Sequence, residues 1–286
     1  MNQDKPNTKS QNLRDSVSWR LYKNTWVFLE ENKEQHLSKE DAKSLLDRNG
    51  LMIRNTYDFD TKEETSFWFV IKDKLEDISE LPFSARRNIR IALRVYDIRK
   101  VSLKEFSEVA FPVITSAQKS YKIKCHIINK NEFDEMIMQY ENDDDKEFWV
   151  VERKDNKEVV AISINRIKED SCEYDDMKSK PAALKNRTYP YYGLIYTMNQ
   201  HYLGEKKYKY VSDGSRSISE HSNIQEFLMH NFKFRKAYCR LKIYYKWWLN
   251  VVIKVLFPFR NIIPFRNIKA ILRMEAYSRE IGRAHV

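Results

Sequence analysis

Apolar residues recur every second position near the start of the chain. Trp19 and Leu21, then Trp26 and Phe28, alternate with polar residues between Val17 and Leu29, which predicts one or two strands. Ser38-Lys39-Glu40-Asp41 reads as a capping box, opening a helix through Leu46 that Asn49-Gly50 ends. Met52–Tyr57 and Phe67–Ile71 are β-prone runs, and residues 79–84 form a loop. The spacing then turns helical. Over Ser84–Arg94, Ile89 and Leu93 mark an apolar side, while Arg86, Arg90 and Arg94 fall on one opposite face with Arg87 beside them. A strand at Tyr96–Val101 and helices at Leu103–Tyr121 and Asn131–Tyr140 follow, and Asn142-Asp143-Asp144-Asp145 breaks the pattern.

Beyond that acidic break the rhythm is clearer. Phe148–Arg153 and Glu158–Ile167 predict a hairpin around Asp155-Asn156. Cys172–Met177 is a short strand, Tyr191–Leu203 a helix ending near Gly204, and Tyr208–Val211 a strand that Asp213-Gly214 turns. A helix at Asn223–Asn231 and a long strand at Ala237–Tyr245 complete a β-β-β-α-β-α-β order. The expected class is α+β.

Charge changes this picture at one end only. The chain has 286 residues and a net charge of +10. Residues 233–279 carry twelve basic side chains against the single acid Glu275, a net +11, which leaves the rest at −1. Such asymmetry speaks of partners, not of fold. Only 5 glycines argue against a glycine-rich phosphate cradle, and Cys125, Cys172 and Cys239, few and scattered, suggest a reducing compartment. With no Cys-x-x-Cys and no histidine pair at i, i+4, no metal site is expected. Met1–Asp15 is polar and charged, so we expect a disordered N-terminus (1–15), no secretory signal and a cytoplasmic address. The closing residues 280–286 read as translated sequencing-adapter sequence, not as a native end.

The runs Tyr210-Val211-Ser212-Asp213-Gly214-Ser215-Arg216-Ser217-Ile218, Asn223-Ile224-Gln225-Glu226-Phe227-Leu228 and Phe234-Arg235-Lys236-Ala237-Tyr238-Cys239-Arg240-Leu241 are similar to a group of bacterial GNAT-like proteins. The β/α order resembles the GNAT fold. The basic helix Ser84–Arg94 followed by the Tyr96–Val101 strand resembles the degenerate partner half of Fem-type transferases. The resemblance spans roughly residues 65–260. It implies a mixed, splayed sheet flanked by helices, in two GNAT-like halves (16–141 and 142–245), with a basic amphipathic helical tail at 246–279. It also implies an acyl or aminoacyl donor, either acyl-CoA or aminoacyl-tRNA, and a cell-envelope acceptor. The stretch Lys185-Asn186-Arg187-Thr188-Tyr189-Pro190-Tyr191-Tyr192-Gly193 departs from the Gln/Arg-x-x-Gly-x-Gly/Ala pattern of acetyl-CoA enzymes: it has one glycine and a proline. Fem-type proteins lack that loop too.

Within this frame Asp213 is the leading candidate for a catalytic base. It lies after a strand and before a helix, where open sheets bind ligands, although Asp-Gly also serves simply as a turn. His221, in the same loop, is a second proton-transfer candidate, and Tyr192 a candidate proton donor to the leaving group, or else an aromatic anchor. Arg216 with Ser212, Gly214, Ser215, Ser217 and the helix start at Asn223 is a candidate carboxylate or phosphate site, to which Tyr191 and the Arg86/Arg90 face add substrate contacts. Capping by Ser217 or Ser219, and a solvated basic helix, are the plain alternatives. Cys239 reads as a buried apolar side chain.

The tail from Lys246 to Phe259, interrupted by Lys254 and Pro258, is too short to span a bilayer, and Trp247-Trp248 with flanking Arg260, Arg266 and Lys269 suits a helix on an anionic membrane surface, or one packed on the body as core. The expected function is N-acyl or aminoacyl transfer to a lipid-linked or nucleotide-linked envelope or surface-glycan precursor, at the inner face of the membrane. The alternative is a non-catalytic GNAT-like binding or scaffold module. RNA binding beyond a tRNA donor ranks last, since no RNA-recognition signature is present.

Overall fold

The computed structural model describes residues 11–13, 17–22, 24–28, 30, 32–33, 37–121, 126–218 and 223–280. Along the chain these form β1 (Gln11–Leu13), β2 (Val17–Tyr22), β3 (Thr25–Phe28), α1 (Lys39–Arg48), β4 (Met52–Thr61), β5 (Phe67–Lys72), α2 (Phe83–Val95) and β6 (Tyr96–Val101). Then come α3 (Leu103–Lys119), α4 (Lys130–Tyr140), β7 (Lys146–Arg153), β8 (Val159–Ile167), β9 (Ser171–Ser179), α5 (Pro181–Lys185) and α6 (Pro190–Asn199). The last are β10 (Tyr210–Ser215), α7 (Ile224–Phe232), β11 (Arg235–Tyr245), α8 (Trp247–Leu256) and α9 (Arg266–Ser278). The class is α+β, a mixed sheet architecture with flanking helices. Two compact units share the chain: unit 1 holds Met1–Phe69, Ser215–Glu220 and Lys236–Val286, and unit 2 holds Val70–Gly214 and His221–Arg235. The acidic break at residues 142–145 lies inside unit 2, between α4 and β7.

In unit 1, β1, β2 and β3 form an antiparallel meander, β3 runs parallel to β4, and β4 pairs antiparallel with β11, Tyr57 opposite Arg240. The aromatic alternation seen in the sequence becomes the core. Trp19, Trp26, Phe28 and Ile53 pack with Leu45 and Leu46 of α1. Helix α1 starts where Ser38 Oγ accepts from the Asp41 amide, and it ends on a side chain: Trp26 Nε1 donates to Leu45 O at 3.1 Å and Asn49 O at 2.7 Å. A second cluster joins Leu249, Ile253 and Phe257 to Leu272 and Ala276, seating α8 against α9.

In unit 2, β6, β7, β8 and β9 are successive antiparallel neighbours, and β10 joins β9 in parallel. Strand β8 is buried continuously from Val159 to Arg166, the mark of a central strand covered on both faces. One cover is the cluster of Phe106, Ala110, Val113 and Ile114 of α3 with Phe133 of α4 on Phe148, Val150, Ile162 and Ile164. The other involves α6. The chain passes Gly193 so closely to Ala92 and Ile98 that a Cβ would stand 2.9 and 2.6 Å from them. Gly193 therefore belongs to helix packing. Helix α6 continues as a π-helical stretch over Gln200–Glu205, which carries the buried Tyr202.

One local expectation is corrected here. Asp213-Gly214 does not end the strand: β10 runs through both to Ser215. Gly214 has φ +78°, which an L side chain rarely adopts, and its amide is satisfied by Ser212 Oγ at 2.9 Å. The strand takes up the left-handed residue and continues.

Candidate active site

The parallel ladder between β9 and β10 is short. It joins Ser171, Cys172 and Glu173 to Tyr210, Val211 and Ser212 and then stops, although both strands continue. Past that point β9 stays on β8 as far as Ser179, through a register shift between Ile164 and Asn165. The next residue on each strand is Tyr174 on β9 and Asp213 on β10. In open α/β sheets ligands bind outside the carboxyl ends of the strands.

Asp213, at that strand end, is under unlike influences. Burial is the largest and pushes its carboxyl up to about 7 from 3.8. A hydrogen bond from the Gln225 side chain, on α7, opposes the rise, and the Glu173 carboxylate adds to it. The side chain is still partly open to solvent. A carboxyl that changes charge near neutral pH, at the end of a parallel ladder, has the pKa a general base needs. Tyr174 lies beneath, fully buried, its hydroxyl donating to Asn199 Oδ1 at 2.8 Å, and burial pushes that phenol well up. Neighbouring Tyr202 donates to Glu147 Oε2 at 2.9 Å and accepts from Trp149 Nε1 at 2.8 Å and Asn165 Nδ2 at 3.1 Å. Satisfied polar networks of this kind rigidify the floor of a site.

Of the other residues the sequence singled out in unit 2, Ser212 is buried and supports the Gly214 amide, and a Cβ on Gly214 would stand 3.3 Å from Glu173 Oε1. Tyr192 donates to Asn231 Oδ1 at 3.1 Å and sets its ring edge-on to Phe227 at 4.9 Å, tying α6 to α7. Tyr191 donates to Met177 O on β9 at 3.4 Å, and burial is the main cause raising its phenol above the ordinary value. Both tyrosines are committed to neighbouring elements. Tyr189 occupies the N-cap of α6 in a left-handed conformation (φ 56°), with Pro190 as the first helical residue. Asn223 is the N-cap of α7, without a side-chain capping bond. His221 and Ser219 lie outside the described residues.

Arg86 and Arg90 stand with Phe83, Arg87, Ile91 and Arg94 around a shallow cavity of about 270 Å³ on α2. None of the four arginines has an acidic partner among the described residues, and Arg86 Nε is buried without a hydrogen bond. The nearby acids are engaged elsewhere: Glu76 pairs with Lys72, and Asp77 accepts from the Ser79 amide.

In unit 1, Arg216 is enclosed. Its guanidinium carbon lies 3.9 Å from the Trp68 ring centre and 4.0 Å from that of Tyr277, while Nη1 donates to Ser66 O at 2.6 Å. Its amide donates to Trp68 O at 2.7 Å. Ser215 and Ser217 flank this sandwich, each with bonding partners of its own. Cys172 and Cys239 are both buried, and burial pushes the Cys172 thiol well up. Among the described residues no group of three or more His, Cys, Asp and Glu could hold a metal ion.

Neither Glu173 nor Gln225 stood out in the sequence. Glu173 reaches Asp213 only through the β9–β10 register, and Gln225 only because α7 packs back on the strand end. No spacing rule within one element announces either.

Neither a family model nor a curated protein matches the sequence. Solved structures do match. The chain superposes on L-PGS from Bacillus licheniformis with TM-score 0.50 at 12% identity, over 84% of this chain and 83% of that one. It also aligns with FemX at TM-score 0.49 and 12% identity, over 79% and 84%. The fold is Fem-like GNAT. That fold matches the mixed sheet and its flanking helices.

Proposed function

We propose that this chain transfers an acyl or aminoacyl group from a thioester or ester donor to an amine of a cell-envelope or surface-glycan precursor, at the cytoplasmic face of the membrane. The carrying observation is Asp213: a carboxyl raised to about 7 where the β9–β10 ladder ends. The acceptor nitrogen attacks the donor carbonyl, the new C–N bond forms as the C–S or C–O bond breaks, and Asp213 takes the proton the amine loses. The leaving sulfur or oxygen regains a proton from water. Acyl-CoA and aminoacyl-tRNA both supply such a carbonyl. The unpaired arginines of α2 favour a donor or acceptor with a phosphate chain.

Asp213→Asn tests this. The fold should persist and kcat should fall by about 10²- to 10⁴-fold with KM little changed; wild-type turnover by the variant retires Asp213 as the base. The second reading, a non-catalytic binding module, is favoured by one specific feature. Where acetyl-CoA enzymes bring glycine amides to a pyrophosphate, this chain has Tyr189 at the α6 N-cap and uses Gly193 for packing. Thermal-shift titration with acyl-CoAs and aminoacyl-tRNA separates the two, since a donor bound well below its concentration raises Tm by several degrees. No shift with any donor supports the module.

A further inference from the structure

Helix α8 is apolar on two sides. At about 100° per residue, Leu249, Ile253 and Leu256 fall on one arc, and they enter the cluster with Phe257, Leu272 and Ala276. Trp247, Trp248, Val251, Val252 and Val255 fall on the adjacent arc of about 140°, with exposures of 79, 42, 56, 42 and 61%. Asn250 and Lys254 supply the narrow polar edge that remains. The exposed arc does not stop with the helix. Phe259, Ile262 and Phe265, on the connection to α9, are 53, 76 and 67% exposed. Scattered exposed apolar residues need no explanation, but a contiguous patch of two tryptophans, two phenylalanines and several aliphatic residues marks an interaction surface.

Charge identifies the partner. Lys246, Lys254 and Lys269 border this patch and have no ion pair among the described residues. The one acid of residues 233–279, Glu275, is already engaged by Arg279 Nε and Tyr245 Oη, each at 2.8 Å. No helix among the described residues is long and apolar enough to cross a membrane. A surface of exposed Trp, Phe and Val rimmed by unneutralised lysines, with its opposite side bolted to the protein core, has the composition of a segment lying in the lipid headgroup region. Protein–protein interface cores, by contrast, are depleted in lysine.

We propose that the outer face of α8 and the α8–α9 connection inserts into an anionic lipid surface, with α9 and the inner face of α8 as its rigid mount. This deepens the membrane location given under the proposed function and rests on that reading for its place in the cell. Lipid binding is measured with neither donor nor acceptor present, so the two readings fail separately.

The mount decides how the test is built. Deleting the tail would remove Leu249, Ile253 and Phe257 from the core and unfold part of unit 1, so exposed positions must be changed in the full chain. We expect the protein to co-sediment with vesicles of phosphatidylglycerol and phosphatidylcholine, and far less with phosphatidylcholine alone. The emission of exposed Trp247 and Trp248 should shift to the blue on binding. Val251→Asp with Val255→Asp should leave Tm unchanged and weaken vesicle binding by at least about tenfold. Lys254→Glu should weaken it about fivefold or more at low salt. Undiminished binding by the folded double variant overturns the proposal. So does a wild-type protein that ignores the anionic vesicles, including one that instead forms a dimer abolished by the same substitutions.

Discussion

Asp213 and Arg216 are three residues apart, and burial disfavours the charge of both, yet the groups around them differ. The guanidinium of Arg216 has an aromatic ring on each face and a carbonyl in its plane. The carboxyl of Asp213 has burial, one amide donor and a second carboxylate, an environment that resists its charge. Arg216 is tied to rings and a carbonyl that fix it in place, whereas a perturbed carboxyl at a strand end has the character of a functional group. The contrast separates the candidate base from the arginine that the sequence offered as the centre of an anion site.

The largest effect expected from breaking this contrast is on the pH profile. If Asp213 is the base, kcat/KM rises with pH through an apparent pKa near 7 and then levels, and Asp213→Asn removes that limb along with most of the rate. Next comes the sandwich. Arg216→Ala should destabilise the protein by about 2–3 kcal/mol, through two lost cation–π contacts and an orphaned Ser66 carbonyl. Arg216→Lys should recover only part, because an ammonium cannot lie flat between two rings. Denaturant unfolding measures both. If the arginine bound substrate and had no structural role, stability would hardly change.

A third expectation concerns stability and pH. The folded pKa of Asp213 lies above its unfolded value, so between about pH 4 and pH 7 the native state holds a proton the unfolded chain has released. Its contribution is therefore lost as pH rises through that window. Asp213→Asn should remove this loss and raise stability at pH 8 by about 1–3 kcal/mol relative to wild type, with little difference at pH 4. Equal ΔG changes at both pH values would mean the carboxyl is not perturbed. The smallest effect is at the left-handed glycine. Gly214→Ala, at φ +78° and close to Glu173, should cost about 1 kcal/mol or slightly more.

The strand character around Trp19 and Trp26, the Ser38 cap and the β7–β8 hairpin were legible in the sequence, because each is written within one element or across one turn; whether the first was one strand or two was not. The strand through Asp213-Gly214 was not. That dipeptide is commonest in turns, and only the Ser212 support and the left-handed Gly214 reveal an extended strand. Asp213 itself could be chosen from its position, whereas its partners Glu173 and Gln225 depend on inter-strand register and helix docking. The tail held two alternatives in the sequence, core packing and an anionic surface. The structure assigns Leu249, Ile253 and Phe257 to the first and leaves Trp247, Val251 and Val255 facing outward.

The pairing of β4 with β11 also imposes a schedule on synthesis. Tyr57 meets Arg240 only after about 180 further residues have been made, roughly 10–40 s at ribosomal speeds. During that interval everything unit 2 needs, up to Arg235, leaves the ribosome ahead of the closing strand of unit 1. The nascent chain thus carries an open β-edge beside the early tryptophans, a natural target for chaperones until the final segment arrives.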